Sequence, residues 1–334
     1  MLTMKKFLIP ESGRFYKANL HAHTCQSDGS ATPEEVKQVF MELGYDIVAY
    51  TDHDIMLDRS HLCDDKFLAL NGYEMEINGK GTPDWANMET CHINFIAIEP
   101  DNLKQACWHR SEYLYAHAVE YRDQIQFYED EPDYERFYTG ECISDMFAQG
   151  RKHGFFTTYN HPTGSLESYP QYMSYNNMHA MEMYNGHEYN PRVYDDMLRG
   201  GKMIYCVGGD DSHNRPTLMS GSGLSWTMIK ADKLDYRTVT QALLDGNFYA
   251  SQGPDIHSLW MEDDMMNVDC SDAVEIIFTA SNRRAKRFCA DKGEVINHAE
   301  YNVFPDSKYV RVTIVDKSGK TASSNAYPIE KLLG

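Results

Sequence analysis

The residues best suited to chemistry in this chain are histidines and carboxylates, which recur in short motifs along its first two thirds. The first motif is His21-Ala22-His23, and Asp28 follows it in a polar loop. Residues i and i+2 of a β-strand face the same side, so both imidazoles can point into one site, and the loop can fold back toward them. Taken alone, this pair has a simpler explanation, because such spacings arise by coincidence among 14 histidines.

Five more motifs of the same kind follow along the chain. They are Thr51-Asp52-His53-Asp54, Gly72-Tyr73-Glu74, Cys91-His92, Tyr159-Asn160-His161-Pro162 and Gly208-Gly209-Asp210-Asp211-Ser212-His213. A ligating imidazole usually donates its other N–H to an acid or a carbonyl, which suits a histidine flanked by Asp52 and Asp54. Mixed imidazole and carboxylate ligands bind Zn, Mn or Fe and do not select among them. The set therefore predicts a site for divalent metal ions, with Glu76 as a rival to Glu74 because both face the same side of a strand.

Most of these motifs come directly after a short apolar segment, which is typical of ligands at the end of a strand. Seven such strands are predicted, at 15–20, 47–50, 67–70, 93–98, 155–159, 180–183 and 203–207. Helical signals lie between them: Thr32-Pro33-Glu34-Glu35 is a good helix start, and Gly44 is a good end. This alternation indicates a mostly parallel sheet, open or closed into a barrel, in which the carboxyl ends of the strands share one rim.

His92 is the exception to this arrangement, because it precedes the apolar part of its strand. Either that strand runs in the opposite direction, or the site extends down its face.

Two regions depart from the strand and helix alternation. Residues 100–150 are predicted to be an inserted helical region that forms a wall or lid over the site, with His109 and His117 as surface residues. After Gly253-Pro254, short strand-like runs separated by turns indicate a small antiparallel β unit with a structural role. The expected domains are therefore 1–253 and 254–334.

The composition restricts the partners and the compartment. The formal net charge of −19 repels nucleic-acid backbones and acidic membrane surfaces, so long nucleic acids are not expected as partners. No apolar run approaches the ~20 residues that span a bilayer, and the N-terminus has no pattern of a secretion signal. A cytoplasmic protein with its eight cysteines reduced is expected.

In their order along the chain, the six motifs resemble those of the PHP family, named for its polymerase and histidinol phosphatase members. The resemblance covers roughly residues 14–215, and Phe248-Tyr249-Ala250-Ser251-Gln252-Gly253-Pro254 adds a similarity to stand-alone members. It implies an α/β fold with a distorted seven-stranded (β/α)7 barrel, which agrees with the seven predicted strands. It also implies two to three divalent metal ions, with Glu74 bridging two of them. The implied ligands are His21, His23, Asp28, His53, Glu74, His92, His161, Asp211 and His213.

The resemblance further implies a metal-dependent hydrolase, in the first place a phosphoesterase acting on small phosphate mono- or diesters. A water that bridges two ions would be acidified to hydroxide and attack phosphorus, while a third ion stabilises developing charge. Asp52, Asp54 and Asp210 are candidates to support the ligands or to shuttle a proton, and Arg215 is a candidate phosphate contact. Three ions carry six positive charges against three carboxylates in the ligand set, so the pocket would suit a small phosphorylated substrate inside an acidic protein.

Two other interpretations stay open at this point. The same metal cluster could cleave carboxyl esters or carbamates, because an activated water also attacks carbonyl carbon. Alternatively, the chain could be a non-catalytic metal-binding module, as PHP domains are within larger polymerases. The substrate, the metal and the oligomeric state are not determined by these residues.

Overall fold

The computed structural model describes residues 5–79, 85–213 and 221–334. None of the helices described there is long and apolar enough to cross a membrane. The β-strands are β1 (Lys6–Phe7), β2 (Arg14–Ala22), β3 (Ile47–Tyr50), β4 (Leu68–Asn78), β5 (Thr90–Ala97), β6 (Lys104–Gln105), β7 (Gln126–Phe127), β8 (Phe155–Asn160), β9 (Ala180–Asn185), β10 (Glu188–Tyr189), β11 (Tyr205–Gly209), β12 (Trp226–Ala231), β13 (Phe248–Ser251), β14 (Ile256–Glu262), β15 (Met265–Ala273), β16 (Glu275–Ala280), β17 (Lys286–Cys289), β18 (Ile296–Asn302), β19 (Tyr309–Val315), β20 (Thr321–Ser324) and β21 (Tyr327–Pro328). The α-helices are α1 (Pro33–Glu42), α2 (Gly140–Lys152), α3 (Pro191–Arg199), α4 (Tyr236–Asp245) and α5 (Ile329–Leu333), and short 3-10 helices span Ser60–Leu62, Trp85–Asn87, Ala116–Gln124 and Gln171–Ser174.

Helix α1 forms where its capping residues predict it. The Thr32 hydroxyl accepts a hydrogen bond from the Glu35 backbone N–H at 3.2 Å, and the Glu35 carboxylate accepts one from the Thr32 N–H at 2.8 Å. This reciprocal pair is a capping box, and Pro33 occupies the first helical turn. Val36 and Phe40 are fully buried beneath the helix. The helix crosses from β2 to β3, which makes these two strands parallel neighbours with their ends at the same edge.

All seven predicted strands are present around the site, as β2, β3, β4, β5, β8, β9 and β11. Strands β2, β3 and β4 are parallel to one another, and β8 is parallel to β9, which in turn is parallel to β11. Strand β5 is antiparallel to both β4 and β8. The strand that carries His92 therefore does run in the opposite direction.

These seven strands do not close into a continuous barrel. Strands β11 and β2 lie side by side, but in the part of the chain that the structure describes their only backbone bridge is the isolated one between Ala22 and Ser212, beyond the end of β11. The reason is that β12 pairs antiparallel with β2 over residues 14–18 and occupies the edge that β11 would need. The result is a long mixed sheet that continues through β12 and β13 instead of returning on itself.

The region 100–150 is not the helical insertion that its composition predicts. Between residues 103 and 128 the chain forms a 3-10 helix at Ala116–Gln124 and two short strands, β6 and β7, which pair with each other. Trp108 stacks on Phe127 with ring centroids 6.0 Å apart, so the segment folds back on itself, and positive φ angles at Cys107 and Tyr113 interrupt any longer helix. Only α2, at the end of the region, is a regular α-helix.

The strands after residue 254 form antiparallel sheets, as predicted. The long sheet continues from β13 to β20, β19, β16 and β17, and a second sheet has the order β1-β14-β15-β18. An apolar core lies between them, with Leu259, Val268, Phe278 and Ile314 fully buried. Strand β1, from the start of the chain, pairs with β14, so this unit is built from both ends of the sequence. The boundary at residue 253 stays a prediction.

Candidate metal centre

The fold brings the nine predicted ligands together at one place. Because β5 runs antiparallel to β8, its residue His92 lies directly beside Asn160, at the end where the other strands finish. This is why a histidine that precedes its apolar segment reaches the same site. By element, the candidate ligands are His21 on β2, His23 and Asp28 after β2, His53 after β3, Glu74 on β4, His92 on β5, His161 after β8, and Asp211 and His213 after β11.

The carboxylate of Glu74 lies at the centre of the cluster and is fully buried. Both of its oxygens lie beside histidine nitrogens, and the Asn160 amide also donates to Oε1 at 2.8 Å. The distances to Oε2 are 3.1 Å from His21 Nε2, 3.2 Å from His23 Nε2 and 3.5 Å from His53 Nε2, and those to Oε1 are 3.2 Å from His92 Nδ1 and 3.2 Å from His161 Nε2. One carboxylate therefore contacts five imidazoles, which is the arrangement expected of a group that bridges cations.

The side chains fall into overlapping groups in which ligand atoms lie within 4.8 Å of one another. His21, His23, His53 and Glu74 each belong to two of these groups, so the groups form one continuous cluster. The groups are His23, Asp28, His53 and His213; His21, His23, Glu74 and Asp211; His53, Glu74 and His92; and His21, His161 and Glu182.

Unsatisfied polar atoms inside the cluster fit a bound cation. His23 Nδ1, His53 Nδ1 and Glu74 Oε2 are buried and have no hydrogen-bond partner. The Nε2 atoms of His21 and His23 also face each other at 3.1 Å. Buried polar atoms are rarely left without a partner, because their desolvation is then uncompensated. Divalent cations between these lone pairs would satisfy them, and the mixed imidazole and carboxylate set suits Zn, Mn or Fe.

The charges within the cluster are strongly coupled. Burial opposes charge on the Glu74 and Asp211 carboxylates, but the surrounding histidines outweigh it and hold both pKa values well below their ordinary range. Burial also opposes protonation of His23 and His161, yet the nearby Glu74 and Asp211 carboxylates raise the pKa of His23 to about 10 and that of His161 to about 9. Burial and the neighbouring His23 lower the pKa of His53 to about 3. Because ligating imidazoles are neutral, metal binding to this cluster must release protons.

Asp52, a predicted supporting residue, holds the loop that carries Asp28. One of its oxygens accepts hydrogen bonds from the Thr24 backbone N–H at 2.7 Å and from the Ser27 hydroxyl at 2.7 Å. Its other oxygen forms a buried ion pair with Arg59 Nη2 at 2.9 Å. The geometry favours a positioning role for Asp52, and a proton-shuttle role stays a prediction.

Asp54 and Asp210 are also engaged by groups outside the ligand set. Asp54 forms a buried ion pair with Arg136, and Arg136 Nη1 donates to the Glu76 backbone carbonyl at 3.1 Å. Asp210 accepts from the backbone N–H groups of residues 223, 224 and 225 at 2.7, 2.9 and 2.8 Å, and burial raises its pKa to about 6. Both carboxylates thus tie segments of the chain to the site. The fourth predicted residue, Arg215, lies outside the described residues.

Glu182 is a residue of this site that the sequence motifs did not identify. Its Oε1 lies 2.9 Å from His21 Nδ1, and its Oε2 accepts a hydrogen bond from the Asn185 amide at 2.9 Å. A proton on His21 Nδ1 shared with Glu182 directs Nε2 of that imidazole toward Glu74. The sequence does carry one indication of Glu182, which is a single acidic residue between Met181 and Met183 in the apolar segment that forms β9.

The two histidines of the 100–150 region differ from each other. His117 is exposed, as predicted, but His109 is buried, so the expectation of a surface residue was wrong for it. His109 Nδ1 accepts a hydrogen bond from the Glu112 backbone N–H at 3.0 Å. Its proton must therefore be on Nε2, which lies 3.5 Å from the Glu135 carboxylate. His109 therefore stabilises the segment, and its Nε2 has no free lone pair for a cation beside Glu135.

A buried carboxylate, Glu167, ends the loop that follows His161. It accepts hydrogen bonds from the hydroxyl groups of Tyr138 at 3.1 Å, Tyr159 at 2.5 Å and Tyr175. Burial raises the pKa of Glu167 to about 7, although the three hydroxyls act in the opposite direction.

The raised pKa of Glu167 predicts a stability difference that depends on pH. Its contribution to folding is present below the ordinary glutamate pKa and is lost as the pH rises through 7, because the folded state binds the proton more tightly. As the pH rises from 5 to 8, we expect the unfolding free energy of Glu167→Gln, measured relative to that of the original chain, to increase by about 2–3 kcal/mol. Urea unfolding of both metal-free proteins across this range measures the difference. A difference that does not change with pH would contradict the prediction.

The open side of the metal cluster is a pocket of about 370 Å³. Its inner wall includes Asp28, His53, Asp211 and His213 from the cluster. Its outer wall includes Glu76, Met88, Tyr115 and Leu166, and none of its described lining residues is a lysine or an arginine.

No protein-family model matches the chain, and no curated protein matches it. Among solved structures, it is similar to a two-domain protein from Bacteroides vulgatus described as containing a predicted PHP-like metal-dependent phosphoesterase, with 15% identity over 96% of this chain and 98% of that one, and a TM-score of 0.46. A putative metal-dependent phosphoesterase from Bifidobacterium adolescentis has 14% identity, covers 62% of this chain and 91% of its own, and has a TM-score of 0.37. An amidohydrolase from Chromobacterium violaceum, with bound sulfate and no metal, has 15% identity, covers 69% and 96%, and has a TM-score of 0.39. At identities and TM-scores this low, the similarities carry no argument about activity.

Proposed function

We propose that this chain is a metal-dependent hydrolase of the PHP family whose substrates are small phosphate mono- or diesters. The supporting observation is the convergence of five imidazoles on the buried Glu74 carboxylate, with Asp28 and Asp211 beside them. In this proposal the cluster holds two to three divalent ions of Mn, Fe or Zn. The seven strands around the cluster would then correspond to those of the family's barrel, left open between β11 and β2, with the unit after residue 253 as a structural addition.

The residues of the chain prepare the site for hydrolysis. Bound divalent ions would supply Lewis-acid chemistry, by acidifying a water and stabilising negative charge on a phosphoryl oxygen. Glu182 orients His21, and the Asn160 amide occupies Glu74 Oε1, which leaves Oε2 directed at three imidazoles. Asp52 and Arg59 hold the loop of Asp28 from behind. The ligands are therefore oriented before a substrate arrives.

The charge of the site favours a phosphate group over a neutral one. Two or three divalent ions carry four to six positive charges, against the three carboxylates Asp28, Glu74 and Asp211. Since the described pocket wall has no lysine or arginine, the ions themselves would be the main attraction for an anionic substrate. The overall charge of −19 disfavours long polyanions at the surface, so a small ester is the better fit.

The proposal is tested with three substrates that release the same chromophore: 4-nitrophenyl phosphate, bis(4-nitrophenyl) phosphate and 4-nitrophenyl acetate. Purified protein is treated with a chelator and then reloaded separately with Mn²⁺, Fe²⁺ or Zn²⁺, and its metal content is measured. We expect at least one phosphate ester to be hydrolysed by the reloaded protein, and hydrolysis to return to background after chelation.

Two results would replace this function with an alternative. Metal-dependent cleavage of the acetate alone would identify a carbonyl-ester hydrolase. Stoichiometric metal binding without turnover of any ester, across a wider panel, would identify a non-catalytic metal-binding module.

A further inference from the structure

A cluster of basic side chains lies at one end of the long sheet, in the unit after residue 253. Four of the five residues 283–287 are lysine or arginine, in a chain whose formal net charge is −19. These residues lead into β17, which is the last strand in the order of that sheet. In the part of the chain that the structure describes, β17 pairs with β16 and with no strand on its other side. The positive charge is therefore placed along an open strand edge.

The open edge of β17 presents backbone groups that could pair with another strand. The Ala290 N–H donates to the Val274 carbonyl at 2.9 Å, and this pair continues the register of β16 and β17. Backbone groups alternate in direction along an antiparallel strand, so those of Phe288 also face β16, whereas those of Arg287 and Cys289 face away from it. Arg287 and Cys289 therefore offer two N–H donors and two carbonyl acceptors to an added strand.

The basic side chains beside this edge are only partly neutralised by neighbouring acids. Arg284 is paired with Asp306 at 3.0 Å, and Arg287, whose side chain is 61% exposed, is paired with Glu275 at 3.5 Å. Three further basic residues are exposed and form no ion pair within the described ranges, namely Arg283, Lys286 and Lys292. Residues 283–294 carry five positive and two negative side chains, so the segment has a net charge of +3.

We propose that β17 is a docking site for an acidic, extended segment of a partner protein, which adds a strand to this edge. The segment would form backbone hydrogen bonds with Arg287 and Cys289, while its carboxylates lie beside the basic side chains. Two copies of this chain would not pair here edge to edge, because like charges would then lie opposite each other. A nucleic acid fits less well, since it cannot continue the hydrogen bonds of the strand and the rest of the protein repels it.

The two faces of β17 specify the pattern of the partner segment. Phe288 packs on the core between the two sheets, and both it and Ile296 are only partly buried at the margin of that core. Arg287 and Cys289 point to the opposite face, because successive side chains of a strand alternate. A paired segment would therefore carry apolar residues on the face of Phe288 and acidic residues on the face of Arg287.

The test measures binding of a fluorescently labelled peptide of alternating glutamate and valine to the whole chain, by fluorescence anisotropy. We expect saturable binding that weakens as salt is added, because exposed charges attract the peptide. Arg287→Glu should weaken this binding at least about tenfold, because it places a like charge beside the carboxylates of the peptide. The matched control is Arg192→Glu, which reverses the charge of a 90% exposed arginine on α3 and should leave the affinity unchanged.

Backbone pairing is tested separately from charge. Cys289→Pro removes an N–H group that faces the open edge, keeps the charge and leaves the hydrogen bonds to β16 in place, so it should weaken binding by about fivefold. Cys289→Ser should bind the peptide as the original chain does. A peptide with N-methyl groups on alternate backbone nitrogens makes the same test on the unaltered chain, and should bind at least about tenfold more weakly than the unmodified peptide.

Three results would overturn the proposal. Absence of saturable binding would show that the basic residues only protect the edge from pairing. Equal binding of the N-methylated peptide, or of a single-stranded DNA oligomer of equal charge, would identify a general anion-binding patch without strand pairing. Unchanged binding by Arg287→Glu would place the peptide away from β17. None of these measurements involves ester hydrolysis, so their outcome is independent of the proposed function.

Discussion

Glu74→Gln is expected to lose bound metal and to hydrolyse esters at least about a hundredfold more slowly than the original chain. Removing a residue that only supports a metal ligand reduces activity by up to about a hundredfold, and removing a bridging carboxylate should reduce it by no less. The reason is the position of this carboxylate, whose two oxygens lie within 3.5 Å of nitrogens from five histidines. An amide keeps the size of the side chain but removes its negative charge. It also directs N–H donors at the imidazole nitrogens, so cations are no longer attracted to the centre.

Elemental analysis and ester hydrolysis on the same preparation measure this effect. His53→Ala is a useful second variant, because it removes one ligand from two of the groups and leaves the group of His21, His23, Glu74 and Asp211 complete. We expect it to retain part of the metal, while Glu129→Gln, a change at an exposed glutamate outside these groups, retains all of it. A folded Glu74→Gln protein with full metal content and full activity would show that Glu74 does not bridge cations.

Arg136→Met is expected to lower the unfolding free energy by about 3–5 kcal/mol, because it leaves the Asp54 carboxylate buried without its partner. The side chains of Arg136 and Asp54 are only 3% and 2% exposed. Arg136 also lies 4.2 Å from the centroid of the Tyr113 ring and donates to the Glu76 backbone. Its loss therefore also loosens the segment that carries Tyr115 over the pocket.

Denaturant unfolding of four proteins separates the causes. The double variant Asp54→Asn with Arg136→Met should recover at least about half of the loss, because no unpaired buried charge remains. Arg192→Met removes an arginine whose side chain is 90% exposed beside Asp196, and should cost no more than about 1 kcal/mol. If Arg136→Met lowers the unfolding free energy as little as Arg192→Met does, water reaches the ion pair of Asp54 and Arg136, and the predicted loss of stability does not apply.

Much of the framework of the site could be predicted from local patterns. The seven strands and the α1 cap were predicted close to their observed positions, because each depends on neighbouring residues, and the antiparallel character of the unit after residue 254 was predicted as well. The nine candidate ligands were identified by motif order, and the structure places them in one cluster. Their role as ligands stays a proposal until metal is measured.

Other features could not be predicted, because they depend on residues far apart in sequence. The sheet stays open because β12 pairs with β2, and nothing in either strand alone specifies that edge. The 100–150 region folds back through β6, β7 and the stacking of Trp108 on Phe127, contacts that a helix-like composition does not reveal.

The local sequence by itself determined which side chains could bind cations and which short strands carry them, because strand periodicity and helix capping act over a few residues. Only the tertiary structure decided which groups support those ligands. Glu182 is 161 residues from His21, and Arg136 is 82 residues from Asp54. Such pairs form only when the fold removes both partners from water, since it is burial that makes a carboxylate require a specific partner.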